Sequence, residues 1–206
     1  MIAVPIFWLF FGALLALMTV PGTVELLLVT IGGILPPRNA SPSTNTAGST
    51  PQRLAVVVPA HNEEGGIHRC VLSLRACEPL GEYFSIVVVA DNCTDATAAR
   101  AQAAGARVLE RHDLQKRGKG YALDFAFNIL LAEGIEAVVV VDADTVVDAN
   151  LLREFRRLFA SGAQAIQVRY RVQNPQASLR TRLMNVALLA FNLLRLRGRE
   201  RWGLSG

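Results

Sequence analysis

Three apolar segments of this sequence each end in a short acidic motif, and these motifs are the first candidates for chemistry. They are Pro59-Ala60-His61-Asn62-Glu63-Glu64, Asp91-Asn92-Cys93-Thr94-Asp95 and Asp142-Ala143-Asp144. Asp142 and Asp144 are two positions apart, and in extended chain such side chains point the same way. Two carboxylates facing one ligand suit Mg²⁺ or Mn²⁺, which share their coordination with water and substrate phosphates. The alternative interpretation is a pair of aspartates that forms a turn and caps a helix.

A basic loop with two glycines is the second candidate. Arg117-Gly118-Lys119-Gly120 opens a predicted helix, and the two lysines of the chain, Lys116 and Lys119, both lie here. Free backbone N–H groups at a helix start, together with Arg117 and Lys119, would form a site for a diphosphate. The spacing matches neither a P-loop nor a dinucleotide fingerprint. An exposed basic loop is the alternative interpretation.

These motifs depend on strands and helices that alternate from Leu54 onward. Nearly continuous apolar runs predict strands buried on both faces at 54–59, 85–90 and 137–141, with weaker candidates at 106–110 and 165–170. Helices are predicted over 64–77, 95–104, 119–133, 149–160 and 177–197. Gly105 and Gly134 are expected at helix carboxyl ends, and Asp148 as an amino cap.

The alternation implies an α/β fold with a doubly wound, mainly parallel sheet. Such sheets bind ligands beyond the carboxyl ends of their strands. The three acidic motifs follow directly after predicted strands. We therefore expect their carboxylates to converge at one edge of the sheet.

Composition and charge exclude several classes of protein. The chain has 206 residues, of which 51% are hydrophobic and 18% charged, with a formal net charge of +4. That apolar content excludes a disordered, charged tail protein. The positive charge is mostly arginine spread over several elements, which gives nucleic-acid binding little support. The three cysteines form no C-x-x-C pair and the three histidines no H-E-x-x-H spacing, so we expect reduced thiols and no zinc site.

The amino-terminal segment is far more apolar than the rest of the chain. Ile2 to Val20 carries no charge, and about 20 apolar residues suffice to cross the hydrocarbon core of a bilayer. A membrane anchor is favoured over a cleaved signal peptide because no basic residue precedes the run. After Pro21-Gly22, the stretch from Val24 to Leu35 either continues a tilted, kinked helix or returns along the membrane surface. Basic residues occur only later in the chain, so the positive-inside rule places the remaining residues in the cytoplasm.

Composition divides the chain into a transmembrane anchor (1–37), a flexible linker rich in Asn, Ser, Thr, Gly and Pro (38–52) and a folded domain (53–206). The last predicted helix, 177–197, has an apolar centre with arginines at both ends. It could lie in a membrane interface or pack on the sheet. Packing on the sheet is favoured because the arginines flank the apolar block instead of forming one face.

The motifs, taken in this order, resemble those of the family 2 glycosyltransferases, which use nucleotide sugars and have the glycosyltransferase A fold. Residues 56–64 are similar to the first-strand signature of that family and residues 89–95 to the second, while 117–120 and 141–144 complete the set. The resemblance extends to membrane-anchored bacterial enzymes of exopolysaccharide or cell-envelope glycan synthesis. It implies a location in the bacterial inner (plasma) membrane, with the catalytic domain in the cytoplasm.

The resemblance implies a nucleoside pocket formed by the first two motifs. Glu63 and Asp91 would contact the nucleoside, and Asp91 would accept a hydrogen bond from the imide N–H of the base. Pro59 and Ala60 would line the same pocket.

The resemblance also implies a site for the diphosphate. Lys119 would lie near the phosphates, and Asp142 and Asp144 would hold the sugar nucleotide through Mg²⁺ or Mn²⁺. The implied reaction transfers a sugar from a nucleotide-diphosphate sugar, with UDP the expected nucleotide, to a glycan or lipid acceptor. It proceeds by single displacement with inversion at the anomeric carbon.

Such a reaction needs a general base on the acceptor hydroxyl. In the family this is an aspartate in an acidic motif well downstream of D-x-D, whereas Asp148, Glu154 and Glu200 are the acidic residues that follow Asp144 here. None lies in such a motif, so the catalytic base is unassigned. We expect a truncated chain holding the donor-binding half, which binds nucleotide and metal but transfers sugar poorly. The alternative function is a non-catalytic nucleotide-binding membrane subunit.

Overall fold

The computed structural model describes residues 3–36, 51–77 and 83–203. The chain divides into two units: Pro42–Ile166, which contains the strands, and Met1–Ser41 with Gln167–Gly206, which is helical. The predicted anchor 1–37 belongs to the helical unit, and the predicted domain 53–206 contributes to both units. Most of the predicted linker, 38–52, lies outside the described residues.

Four parallel strands form the sheet of the first unit. They are β1 (Arg53–Ala60), β2 (Tyr83–Asp91), β3 (Arg107–Arg111) and β4 (Ala137–Val140), in the order β3-β2-β1-β4. Leu54 to Val58 and Val87 to Val89 are completely buried, as expected for strands covered on both faces. The prediction of an α/β fold with a mainly parallel sheet is confirmed.

Four helices belong to this unit: α2 (Ile67–Arg75), α3 (Thr97–Ala103), α4 (Lys119–Ala132) and α5 (Leu151–Ala160). Helix α4 covers one face of the sheet because Ala122, Ala126 and Leu130, spaced four residues apart, pack on Val57 and Val87. The connections through α2 and α3 run from β1 outward to β3, whereas α4 returns the chain to β4 on the other side of β1. Since such crossovers are right-handed, this reversal places α2 and α3 on the opposite face from α4.

The expected carboxyl-end glycines are confirmed and the expected amino cap is wrong. Gly105 and Gly134 follow α3 and α4 by one cap residue each, with φ of 92° and 78° in the left-handed region that favours glycine. Helix α5 begins at Leu151 with Asn150 in the cap position. The backbone carbonyl of Asp148 instead accepts a hydrogen bond from Leu151 N at 3.0 Å, which closes a turn before the helix.

The weak strand candidate at 165–170 is also wrong. These residues have no regular secondary structure, and Ala165 is exposed. A run of alternating apolar residues forms a strand only where a neighbouring strand accepts its hydrogen bonds. Among the described residues, no strand pairs with this segment.

The helical unit contains α1 (Ala3–Ile34), α6 (Leu179–Leu189), a π-helical turn (Ala190–Leu194) and α7 (Arg195–Arg201). Helix α1 is continuous through Pro21, so the segment does not return as a hairpin. Ser178 and Thr181 form a capping box at the start of α6. The predicted helix 177–197 is thus present, with a π-helical turn near its middle.

Helix α7 has α1 as its neighbour, whereas the sequence favoured packing on the sheet. Trp202 Nε1 donates a hydrogen bond to the carbonyl of Leu28 at 2.9 Å, and Arg201 Nη1 donates to the carbonyl of Pro36 at 2.9 Å. Gly33 of α1 lies against the backbone of Leu194. The length and apolar character of the helix were predictable, but its partner depends on contacts between distant parts of the chain.

Candidate functional site

The order of the strands reverses between β1 and β4, and this is where open α/β sheets bind ligands. The motif 59–64 leaves β1 at this edge, and Asp142-Ala143-Asp144 leaves β4 beside it. A Cβ placed on Gly66, just before α2, would lie 3.3 Å from the carbonyl oxygen of Ala143. The two motifs therefore approach each other closely, as the sequence predicted.

The loops after β1 and β2 are joined by hydrogen bonds between side chains and backbone. Asn62 Oδ1 accepts from the backbone N of Thr94 at 2.8 Å, and the backbone N of Glu63 donates to Thr97 Oγ1 at 2.8 Å. The backbone N of Glu64 donates to a carboxylate oxygen of Asp95 at 3.2 Å. Asn62 has a φ of 54°, a left-handed conformation that asparagine tolerates better than most residues. The two loops are fixed relative to each other by their own polar groups.

Asp91, at the end of β2, lies in a buried polar cluster with Arg111, Asn92 and Asp113. Arg111 Nη1 and Asn92 Nδ2 both donate to Asp91 Oδ1, at 2.6 and 3.0 Å. The side chains of Asp91 and Arg111 are 8% and 9% exposed. Arg111 Nη2 reaches Asp113 Oδ2 at 3.1 Å. Because these bonds converge on Oδ1, the orientation of the Asp91 carboxylate is determined before any ligand arrives.

The carboxylate of Asp113 is held by several donors at once. Its Oδ1 accepts from the backbone N of Gln115 at 2.9 Å and from that of Lys116 at 3.0 Å. The hydrogen bond from Lys116, together with that from Gln115 and the charge of Arg111, lowers the pKa of Asp113 from its ordinary value. The Asp113 carboxyl therefore stays ionised at neutral pH.

The predicted basic loop opens α4, with Gly118 in the cap position at a φ of 110°. Lys119 is the first residue of the helix, and its Nζ pairs with Asp142 Oδ1 after β4. Both side chains are about half exposed, at 53% and 43%. This contact places a cation and the amino end of a 14-residue helix beside the D-x-D motif. The alternative interpretation, an exposed basic loop, does not account for this contact.

The D-x-D motif is a turn and not an extended segment. Strand β4 ends at Val140, and the backbone N of Thr145 donates to the carbonyl of Asp142 at 3.0 Å. The expectation that these two side chains point the same way rests on the assumption of extended chain. That assumption is wrong, because Asp142 and Asp144 lie in a turn. Asp142 is partly exposed and Asp144 is exposed.

Cys70 on α2 shows that both carboxylates lie near the start of that helix. Burial, followed by the negative charges of Asp144 and Asp142, raises the pKa of the Cys70 thiol to about 12. The thiol stays protonated at neutral pH and is a poor nucleophile. Cys70 is therefore a core residue and not a catalytic one.

The donor set at the D-x-D turn fits a divalent cation that shares its coordination with a substrate. Two carboxylates on one turn supply the oxygen ligands that Mg²⁺ and Mn²⁺ prefer. Within residues 3–36, 51–77 and 83–203, no group of three or more His, Cys, Asp or Glu side chains is placed to hold a metal ion by itself. Such a cation would need water and phosphate oxygens as its other ligands, which is usual for Mg²⁺ in phosphate sites.

The structure brings most of the predicted site residues to one edge and adds others. Asp91, Lys119 and Asp142 came from sequence motifs, whereas Arg111 and Thr97 were missed. Arg111 aligns with Asp91 in the β2–β3 register. An arginine at the end of a weak strand was the available signal, but only the register identifies its partner.

The fold is an open α/β domain, and its candidate site lies at the topological switch point. Residues 55–204 match the protein family described as "Glycosyl transferase family 2". The chain belongs to that family.

Two relatives are similar to parts of the chain. A low-salt glycan biosynthesis hexosyltransferase of Haloferax volcanii is 36% identical over 109 residues, which cover 53% of this chain and 25% of that protein. A beta-monoglucosyldiacylglycerol synthase of Synechocystis sp. is 32% identical over 154 residues, which cover 71% of this chain and 32% of that protein. The chain thus spans a quarter to a third of the length of these relatives.

Solved structures with related folds include enzyme complexes with sugar nucleotides. A glucosyl-3-phosphoglycerate synthase of Mycobacterium tuberculosis, bound to Mn²⁺, UDP-glucose and phosphoglyceric acid, is 30% identical with a TM-score of 0.44. The match covers 54% of this chain and 40% of the synthase chain. A mannosyltransferase of Pyrobaculum calidifontis in complex with GDP-Man and Mn²⁺ is 22% identical with a TM-score of 0.49, covering 71% of this chain and 42% of its own.

Proposed function

We propose that this chain binds a nucleotide-diphosphate sugar at the carboxyl edge of its sheet and belongs to an enzyme that transfers the sugar to a glycan or lipid acceptor. The observation that carries the proposal is the contact between Lys119 and Asp142, which joins the start of α4 to the D-x-D turn at the topological switch point. Family membership supports sugar transfer. The names of the two relatives, a hexosyltransferase of glycan biosynthesis and a synthase of a glucosyl diacylglycerol, support a glycan or lipid acceptor.

The nucleoside is proposed to bind where β1 and β2 end. Asp91 Oδ1 is held by Arg111 and Asn92, so Oδ2 is the oxygen that would accept a hydrogen bond from the base. A carboxylate is a hydrogen-bond acceptor, so Oδ2 suits the imide N–H of uracil, the expected base. Glu63, Pro59 and the buried Ala60 would form the adjoining wall.

The diphosphate is proposed to bind between α4 and the D-x-D turn. The Lys119 ammonium and the backbone N–H groups at the start of α4 carry positive charge toward this position. Asp142 and Asp144 would hold Mg²⁺ or Mn²⁺ there. When bound, the cation stabilises the negative charge that develops on the departing diphosphate.

The chain's own residues then contribute binding and electrostatic stabilisation. Lys119 would neutralise a phosphate oxygen of the leaving group, and Asp91 would fix the nucleoside end so that the anomeric carbon is held in place. Single displacement with inversion also needs a base on the acceptor hydroxyl. Among the described residues we assign that role to none.

Helix α1 is proposed to anchor the chain in the bacterial inner membrane, with the strand-containing unit in the cytoplasm. Phe7–Ile34 is apolar enough to cross a bilayer and is mostly exposed. The absence of basic residues before it and the arginines that follow support this orientation.

Calorimetric titration of UDP, GDP and ADP into the full chain in detergent micelles, with and without Mn²⁺, tests the donor site. We expect UDP to bind more tightly with Mn²⁺ than without it, and the comparison with GDP and ADP shows which base the pocket accepts. Asp144→Ala should lower the affinity measured with Mn²⁺ by about tenfold, equivalent to about 1.4 kcal/mol, and leave the metal-free affinity unchanged.

Asp124→Ala is the matched control, because it removes another exposed aspartate, from the solvent side of α4. Equal losses in both variants would mean that general negative charge, and not a site at the D-x-D turn, attracts the metal complex. No nucleotide binding to a chain with intact circular dichroism would contradict the proposal.

A further inference from the structure

Helix α1 is longer than a bilayer's hydrocarbon core is thick. Its apolar window Phe7–Ile34 has 28 residues, or about 42 Å at the rise of an α-helix. The hydrocarbon core is about 30 Å thick. To fit the whole window, the helix would have to tilt by about 45°, beyond the range of about 0–40° seen for membrane helices. Part of the window therefore lies outside the hydrocarbon.

Burial and charge both divide α1 near Glu25. From Phe7 to Leu28 every residue is exposed, whereas Val29, Gly32 and Gly33 are buried. Glu25 is the only charged residue of the first 37. The 18 residues Phe7–Val24 span about 27 Å, close to the hydrocarbon thickness. A boundary at Glu25 leaves the exposed apolar surface of residues 7–24 in lipid, keeps the carboxylate at the edge and places exposed side chains such as Leu27 and Ile31 at the interface.

Helix α7 packs on one face of α1 beyond this boundary, where Val29, Gly32 and Gly33 are buried. The backbones approach so closely that a Cβ on Gly198 would collide with the backbone of Val29, and one on Gly33 with the backbone of Leu194. Small residues allow such approaches between helices. The hydrogen bond from Trp202 Nε1 to the Leu28 carbonyl fixes the carboxyl end of α7 one turn beyond Glu25.

The residues that α7 brings to this level are those that favour phospholipid headgroups. Trp202 is 47% exposed, and its ring N–H is already satisfied. Arg199 lines a cavity of about 380 Å³ with Glu25 and Leu28 of α1. Tryptophan and arginine both concentrate at the membrane interface, where an apolar body meets polar headgroups. At the opposite end of the apolar window, Trp8 stacks edge-on against Phe7.

We propose that α7 is a headgroup-binding collar on the membrane anchor: the hydrocarbon ends at Glu25, and Trp202 and Arg199 lie among the phospholipid headgroups. Its arginines exceed its single acidic residue, Glu200, which suits phosphate groups. The inference rests on the proposed membrane anchoring of α1. It adds a second membrane contact, supplied by residues far away in the sequence, that sets the depth of the anchor.

The two tryptophans of the chain, Trp8 and Trp202, make the depth measurable. The Trp8→Phe variant of this chain, reconstituted in phospholipid vesicles, has Trp202 as its sole tryptophan. Nitroxide-labelled lipids would carry the quencher at the headgroup, high on the acyl chain or near its end. We expect the headgroup nitroxide to quench Trp202 most strongly and the deepest one least.

The other outcomes overturn the inference in different ways. With a boundary at Ile34, Leu28 would lie about 9 Å inside the hydrocarbon, and the acyl-chain probes would quench Trp202 best. If lipid probes quench Trp8 in a Trp202→Phe variant but do not quench Trp202, the anchor inserts and α7 does not touch the membrane. If neither tryptophan is quenched by lipid probes, both the membrane anchoring of α1 and the headgroup binding of α7 are contradicted.

A pair of glycine variants tests whether α7 depends on its close contact with α1. Gly33→Ala, in the Trp8→Phe background, should displace α7, increase quenching of Trp202 by aqueous iodide and reduce quenching by headgroup nitroxide. Gly22→Ala on the same helix has no atom within 4 Å of the new Cβ and should change neither signal. In a Gly33→Ala variant that also carries Trp202→Phe, quenching of Trp8 by the lipid probes would show that α1 is still inserted. Unchanged Trp202 quenching in Gly33→Ala would contradict the collar.

Discussion

The two ends of the candidate site are built differently. Where β2 ends, Asp91 lies in a buried cluster whose hydrogen bonds to Arg111 and Asn92 leave it one orientation. Where β4 ends, Asp142 and Asp144 lie on an exposed turn, with Lys119 as the partner of Asp142. The end proposed to bind the nucleoside is organised by the fold, whereas the end proposed to bind the diphosphate is held by contacts that a ligand can replace.

The difference suits the two parts of the proposed substrate. A base is recognised by hydrogen bonds of fixed direction, which need a rigid acceptor. A diphosphate with a divalent cation is held mainly by charge, which tolerates movement and needs access to water for exchange. Substitutions at the two ends should therefore affect different properties: stability at Asp91, and ligand affinity at Asp142.

Arg111→Met should have the largest effect, because it leaves the buried Asp91 carboxylate without its cation. Breaking a buried ion pair by removing one partner typically costs about 3–5 kcal/mol, and Asn92 retains one hydrogen bond to Asp91, so we expect about 3 kcal/mol. Chemical denaturation of the detergent-solubilised chain measures the loss. Arg107→Met is the matched control on the same strand.

The control breaks another close arginine–carboxylate pair, in a more exposed environment. Arg107 and Glu133 also form a close ion pair, but their side chains are 39% and 34% exposed. Such a partly exposed pair contributes less than about 1 kcal/mol to the free energy of unfolding. Equal destabilisation by Arg107→Met and Arg111→Met would contradict the view that burial distinguishes the β2 end.

Lys119→Ala should weaken nucleotide-diphosphate binding by about tenfold to a hundredfold, the equivalent of one lost hydrogen bond between charged groups. The free energy of unfolding of the Lys119→Ala variant should change by less than about 1 kcal/mol, because the pair with Asp142 is half exposed. Titration of UDP with Mn²⁺, compared with titration of uridine, measures the effect. Lys116→Ala removes the other lysine and should leave affinity nearly unchanged; a loss of the same size would assign the effect to net charge.

Asp113→Asn should have the smallest effect, a small loss of stability above about pH 4 that disappears in acid. The pKa of Asp113 is lower in the folded chain than its ordinary value, so its contribution is present above about pH 4 and is lost as the pH falls through the lowered pKa. The variant should therefore show a shallower decline in stability below about pH 4 than the wild type. Thermal unfolding at a series of pH values would test this, and parallel curves would rule it out.

Several features of this molecule were predictable because their causes are local. The apolar runs at 54–59 and 85–90 predict buried parallel strands, and Gly105 and Gly134 predict helix ends at left-handed positions. The D-x-D motif and the basic loop at Lys119 are also short sequence patterns. Each depends on residues that are neighbours in the chain, so the printed sequence contains the information.

Other features failed or were missed because their causes are not local. The segment 165–170 has the composition of a strand, but no strand within the described part of the chain pairs with it. Arg111 became part of the site only because the β2–β3 register sets it beside Asp91. Helix α7 rests on α1, a contact between residues about 170 positions apart.

By itself, the sequence determined which residues carry charge and hydrogen-bonding groups, where the strands end and that the amino-terminal segment is apolar throughout. These follow from residue type and periodicity. Only the tertiary structure decided which cation neutralises Asp91, that Lys119 pairs with Asp142, and where along α1 helix α7 packs. Those depend on strand register and on the close approach of backbones, for which burial and steric fit between distant segments are the physical cause.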